Sequence, residues 1–168
     1  MHQIVFSSTL SESYYRDLQE MLFLNGNQSK VAAEIVDKIE RYGEPSITKI
    51  DNKLQITLNS ETPTQTLFVL NHMGRNAELL GTVVYTRESD TLAILYVAVR
   101  EDYCSNGDKQ DEQLFLRIVS QLRSIGRRIK GVSSIRVFKR ATNAGDRHVS
   151  LSVARRRAYR CPTHDVFA

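Results

Sequence analysis

With 168 residues, 41% of them hydrophobic and 25% charged, the chain suits a single domain with a full apolar core. That composition excludes collagen-like, disulfide-scaffold and wholly disordered architectures. The formal charge of +4 is unevenly spread: residues 117–168 hold thirteen Lys and Arg against only Asp146 and Asp165, whereas residues 1–100 are net acidic.

Ile4-Val5-Phe6 predicts a short strand, and Thr9-Leu10-Ser11-Glu12 reads as a capping box opening a helix. Tyr14, Leu18, Met21 and Leu22 give that helix one apolar face, and Asn25-Gly26-Asn27 ends it. A second amphipathic helix, capped by Asn27 or Ser29, is expected to bury Val31, Ile35, Val36 and Ile39 and to stop at Gly43 before Pro45. From Ser46 the period changes. Ile47, Ile50, Leu54, Ile56 and Leu58 lead into the turn cluster at residues 59–63, and β-rich segments follow at 67–70, 79–85 and 92–99. Their short polar connections predict an antiparallel meander. The segment 92–99 is apolar at nearly every position, so it is expected at the centre of the sheet with both faces covered.

After a polar loop, Leu114, Ile118, Leu122, Ile125 and Ile129 recur at spacings of four, four, three and four. They predict a helix, widened by Phe115 and Val119 and ended by Gly131. Residues 134–138 read as the next strand, making a β-α-β unit whose strands should be parallel. Residues 148–153 form one more strand-like patch before the run Arg155-Arg156-Arg157. The expected fold is α/β (α+β by some schemes): a single domain, residues 1–168, with a core at 1–140 and a basic C-terminal segment at 141–168. Its central mixed sheet combines the meander, the parallel β-α-β unit and flanking helices.

The order of these elements, with Gly81-Thr82-Val83-Val84-Tyr85 preceding a hydrophobic strand that runs into Val99-Arg100-Glu101-Asp102-Tyr103, resembles the GNAT superfamily of acyl-CoA-dependent N-acyltransferases. The resemblance covers residues 1–140 in topology and 65–140 in residue pattern. It implies a transferase that moves an acetyl or other acyl group from acyl-CoA to an amine acceptor, either a small molecule or a protein. The pantetheine arm would lie like an added strand along Val97, Ala98 and Val99. The pyrophosphate would rest on Asn106, Gly107 and Lys109 at the start of the following helix. Here the sequence departs from the family, whose loop is glycine-rich. Residues 105–112 carry one glycine and three carboxylates, Asp108, Asp111 and Glu112.

Transfer to an amine needs a base for the amine proton and an acid for the departing thiolate. The candidates are Glu101 as base and, as the resemblance implies, Tyr159 as acid, with Asp102, Glu78, Glu88 and His72 as further strand-end groups. No histidine pair has metal-ligand spacing, so no metal is expected. Cys104 and Cys161 read as reduced thiols. No stretch approaches the roughly 18 to 20 apolar residues of a membrane helix, and the N-terminus lacks a basic flank, so a cytoplasmic protein is expected. The alternative function is a non-catalytic module of the same fold. It would bind nucleic acid, or a protein partner, through the basic C-terminal third, with Arg155, Arg156 and Arg157 on phosphates.

Overall fold

A computed structural model describes residues 2–24, 39–59, 61–73, 76–103, 113–138 and 148–153. Its strands are β1 (His2–Ser7), β2 (Leu10–Ser11), β3 (Pro45–Ile50), β4 (Lys53–Leu58), β5 (Thr64–Met73), β6 (Asn76–Glu88), β7 (Thr91–Val99), β8 (Ser134–Phe138) and β9 (His148–Ser152). Its helices are α1 (Tyr15–Phe23) and α2 (Leu114–Gly126). Single 3-10 turns cover Glu12–Tyr14 and Glu101–Tyr103. The main sheet has the order β1-β5-β6-β7-β8-β9. Every neighbouring pair in it is antiparallel except β7 and β8, which are parallel, as the β-α-β pattern requires. The chain is thus a mixed α/β domain with an antiparallel meander, β5-β6-β7.

The sequence predicts one central sheet, whereas residues 45–58 pair as a hairpin and, with β2, form a second sheet of three strands, β2-β4-β3. Period-two alternation specifies a strand but not its neighbour. The deciding local element is the tight turn at Asp51 and Asn52, both at positive φ, which returns β4 onto β3.

Two apolar clusters lie on opposite faces of the main sheet. On one face α1 and the small sheet bury Leu10, Leu18, Met21, Leu54 and Ile56 against Phe68, Leu79, Val84, Ala93 and Leu95. On the other, α2 buries Leu114, Ile118 and Leu122 against Leu67, Val69, Val83, Leu92, Ile94 and Ile135.

Local details differ from the sequence reading where a neighbour wins over a local motif. Thr9 does not cap α1: its N–H donates to Ser7 Oγ, the Glu12 N–H donates to Asn52 O, and Ser11 Oγ accepts from Ser13 N–H. The capping-box residues are thus bonded into the β2–β4 contact. Tyr14, Leu18, Met21 and Leu22 do face the core, and Tyr14 Oη donates to Ala77 O at 2.9 Å. The second helix is described only at residues 39–42; it closes at Gly43, whose φ of +82° and N–H bond to Ile39 O (2.9 Å) make the expected stop. A Cβ at Gly43 would fall 2.5 Å from Asn59 O, so the position requires glycine on space as well as on conformation.

Helix α2 ends at Gly126 rather than Gly131, because the chain tightens into turns there and Ile129 N–H bonds Gly126 O. Gly126 is buried beside Val132 and Val153, each 3.3 Å from where its Cβ would stand. Phe115 lies on the angular range of the apolar stripe yet is 43% exposed. It belongs to the first turn of α2.

The closed end of β7 and β8 is held by Asp90. Its carboxylate accepts from Ser133 Oγ (2.6 Å) and Thr91 Oγ1 (3.1 Å), and its carbonyl accepts from the N–H groups of Ser133 and Ser134. The Ser133 hydroxyl first, and the Thr91 hydroxyl second, hold this carboxyl below its ordinary 3.8. A carboxylate with a lowered folded pKa stabilises above the unfolded value and loses that contribution as pH falls through the folded one. Asp90→Asn should therefore be less stable than wild type at neutral pH, with the gap closing as pH drops below 3.8; urea midpoints measured against pH read this directly.

Candidate functional site

The ladder between β7 and β8 has three pairs, Thr91↔Ser134, Leu92↔Ile135 and Ala93↔Arg136. Immediately beyond it the β6–β7 register shifts: Val84 pairs with Tyr96 and Tyr85 with Ile94, leaving Leu95 as an extra residue on β7. A bulge bends and twists its strand. Accordingly Leu95 and Tyr96, consecutive in sequence, both face the α1 cluster. Residues 92–95 are buried on both faces, but Val97 is 36% exposed. The expectation that all of 92–99 would be covered thus holds for the first half of the strand only.

The N–H of Arg100 bonds Leu80 O at 2.9 Å. In an antiparallel ladder alternate residues turn both peptide groups to the same side. Tyr96 and Ala98 therefore turn theirs to β6, and Val97 and Val99 turn theirs to the opposite edge, the one that β8 pairs at residues 91–93. Gly81, opposite Val99, lets the strands approach closely: a Cβ there would stand 3.0 Å from Ala98 O.

Just past β7, on the α1 side, lies an open cleft of about 580 Å³ lined by Asp17, Glu20, Met21, Leu24, Glu78, Leu79, Arg100, Glu101 and Asp102. Five carboxylates face one guanidinium. Arg100 is shared between Glu78 and Asp102: it ion-pairs with the first and grips the second through Nε (3.2 Å) and a terminal nitrogen (3.4 Å). These groups are half-buried, so solvent screens them less than a surface pair. The balance of the lining remains negative and favours a cation.

Of the sequence-derived candidates, the fold brings Val97, Ala98, Val99, Glu101, Asp102 and Glu78 to one end of the sheet. Glu88 is not among them. It sits at the opposite end of β6, ion-paired to Arg136, with Tyr42 Oη 3.5 Å away. His72 is on β5, separated from β7 by β6. Asn106, Gly107, Lys109, Tyr159, Arg155, Arg156, Arg157, Cys104 and Cys161 lie outside the described residues. Asp17 and Glu20 were not singled out from sequence, although their spacing of three beside Met21 marks one side of α1.

Among the tyrosines, burial first and the Glu44 charge second push Tyr96 up to about 12; its hydroxyl donates to Gly43 O at 3.2 Å. It is a strut between β7 and the Gly43 turn. Among the described residues no cluster of three or more His, Cys, Asp or Glu could hold a metal ion, and no helix is long and apolar enough to cross a membrane. Comparison with known proteins returned no matching family model, no matching curated protein and no matching solved structure.

Proposed function

We propose that the chain is an N-acyltransferase of GNAT-like architecture, taking an acyl group from acyl-CoA and delivering it to a cationic amine. The observation that carries this reading is that the β7–β8 ladder has, among the described residues, only three pairs, with Val97 further along β7 turning its peptide groups to that same edge. An extended pantetheine arm can bind along that edge like an added strand, bonding main chain to amide. In this reading the Val97 N–H also polarises the thioester carbonyl. The loop bearing Asn106, Gly107 and Lys109 receives the pyrophosphate, and Tyr159 supplies a proton to the leaving sulfur.

The acidic cleft supports the acceptor half of the reading. An amine arrives protonated, drawn by Asp17, Glu20 and Glu101. Glu101, at the turn after β7, takes its proton. The freed nitrogen attacks the thioester carbon and a C–N bond forms; the nitrogen then gives up its second proton to solvent, from which Tyr159 regains the one it delivers to sulfur, as the C–S bond breaks and CoA leaves as the thiol. The Arg100 salt bridges hold the cleft wall in place.

Acetyl-CoA at about 100 times its Kd should add roughly 2.7 kcal/mol of stability, a rise of about 5 to 10 °C in Tm for a domain of this size. Differential scanning fluorimetry with acetyl-CoA and, in parallel, with free adenosine diphosphate measures it. The absence of any shift at millimolar acetyl-CoA would overturn the proposal.

A further inference from the structure

The carboxylates around the cleft lie on the α1 side of the main sheet, whereas α2 covers the opposite face. The outer surface of α2 is basic. Its apolar stripe, Leu114, Ile118, Val119 and Leu122, is spent in the core. At 100° per residue, Arg117 and Ser124 fall within a narrow angular band on the other side, flanked by Ser120 and Gln121, and Arg127, Arg128 and Lys130 follow in the turns after Gly126. Arg117, Arg127, Arg128 and Lys130 are all exposed. Among the described residues none of the four has a carboxylate within ion-pairing distance, although Arg16, Lys49, Arg100 and Arg136 all do. Arg127 is tethered through Nε to Val153 O at 3.1 Å, which fixes its guanidinium against the body of the fold.

Arginines left without acids, spaced along one helix, are placed for an external polyanion. Arg117 lies nine residues before the helix end at Gly126, about 14 Å along the axis or roughly four nucleotides of one B-form strand, and Arg127, Arg128 and Lys130 stand in the turns just beyond. Serine hydroxyls at 120 and 124 add neutral donors between them, a further type of phosphate contact. An anionic membrane is the poorer fit, because a membrane-lying helix needs a free apolar face along its length, and α2 exposes only Phe115 and Leu116 in its first turn while the rest of its apolar stripe is buried. Three of the four cations are arginine, the residue suited to bidentate phosphate contacts.

We infer that the outer face of α2, with the turn that follows it, is a sequence-independent nucleic-acid-binding surface that grips the phosphate backbone through Arg117, Arg127, Arg128 and Lys130. This surface does not depend on the acyltransferase reading: the cleft and the edge of β7 at Val97 lie elsewhere, and either property can fail without the other.

The test uses the full chain and a fluorescent 20-nucleotide single strand, as RNA and as DNA, titrated by anisotropy from about 20 to 200 mM NaCl. Three exposed charges are removed together, Arg117→Gln, Arg128→Gln and Lys130→Gln. Losing three phosphate contacts should make the slope of log K against log salt shallower by about 2 and weaken low-salt binding at least tenfold. A control with the same loss of charge on other elements, Arg16→Gln, Lys49→Gln and Lys53→Gln, should keep the wild-type slope. Circular dichroism melts verify that both variants fold. Undetectable binding by wild type at 20 mM salt overturns the inference, as does an unchanged slope in the α2 variant or an equal loss in the control. So does binding to anionic phosphatidylserine vesicles alone.

Discussion

Val97→Pro is expected to erase the stabilisation by acetyl-CoA and to lower kcat/KM by about 10² to 10³, the usual consequence of removing one donor aimed at a developing oxyanion. Proline deletes a single N–H, and in this strand that N–H is turned away from β6, so the antiparallel ladder is not broken. The side chain of Val97 is 36% exposed, which limits the packing cost of the change. Val97→Ala keeps the N–H and should keep most of the binding. Fluorimetry with and without acetyl-CoA, plus a thiol-release assay over a panel of amines, separates the two variants. A proline variant that still responds to acetyl-CoA as wild type does would remove the main chain of β7 from the proposed site.

Phe68→Ala should cost about 3 to 5 kcal/mol. Phe68 is fully buried on β5, in the cluster made by α1, the small sheet and the β6–β7 strands. Truncation leaves a cavity where two sheets and a helix meet, and none of them can move in without losing its own pairing. For a domain of this length the loss is about 6 to 20 °C in Tm, a large part of the total stability. Urea unfolding with an unchanged m-value is the expected signature. A cost below about 1 kcal/mol would mean that the small sheet does not seal this face.

The strands of the main sheet were legible because their pattern and their pairing are both local. The segments 79–85 and 92–99 are separated by only six residues, and the strands they belong to, β6 and β7, by two, so adjacency follows from chain length, and the helix between β7 and β8 fixes the parallel sense. Hairpin β3–β4 was legible as strands but not as a separate sheet, since its partner is the two-residue β2, too short to leave a periodic trace. The bulge was hidden for another reason. In an all-apolar run such as Leu92-Ala93-Ile94-Leu95 an extra residue changes which side chains share a face without changing any residue type. The candidate site divides along the same line. Glu101 could be placed at a strand end from sequence, whereas Asp17 and Glu20 join it only through the packing of α1 across β6 and β7. Glu88, equally plausible as a strand-end carboxylate, is taken out of the site by direction alone: β6 runs antiparallel to β7, so its end meets the start of β7.

Leu95 gives β7 two unlike halves. From Leu92 to Leu95 every side chain is buried, and a substitution there is felt as lost stability. Beyond Leu95 the strand is paired, among the described residues, with β6 alone; Tyr96 and Ala98 still pack on the α1 cluster, whereas the exposed Val97 can vary as long as the main chain stays extended. A single continuous strand thus separates the residues that must be conservative in volume from one free to tune what binds along its edge.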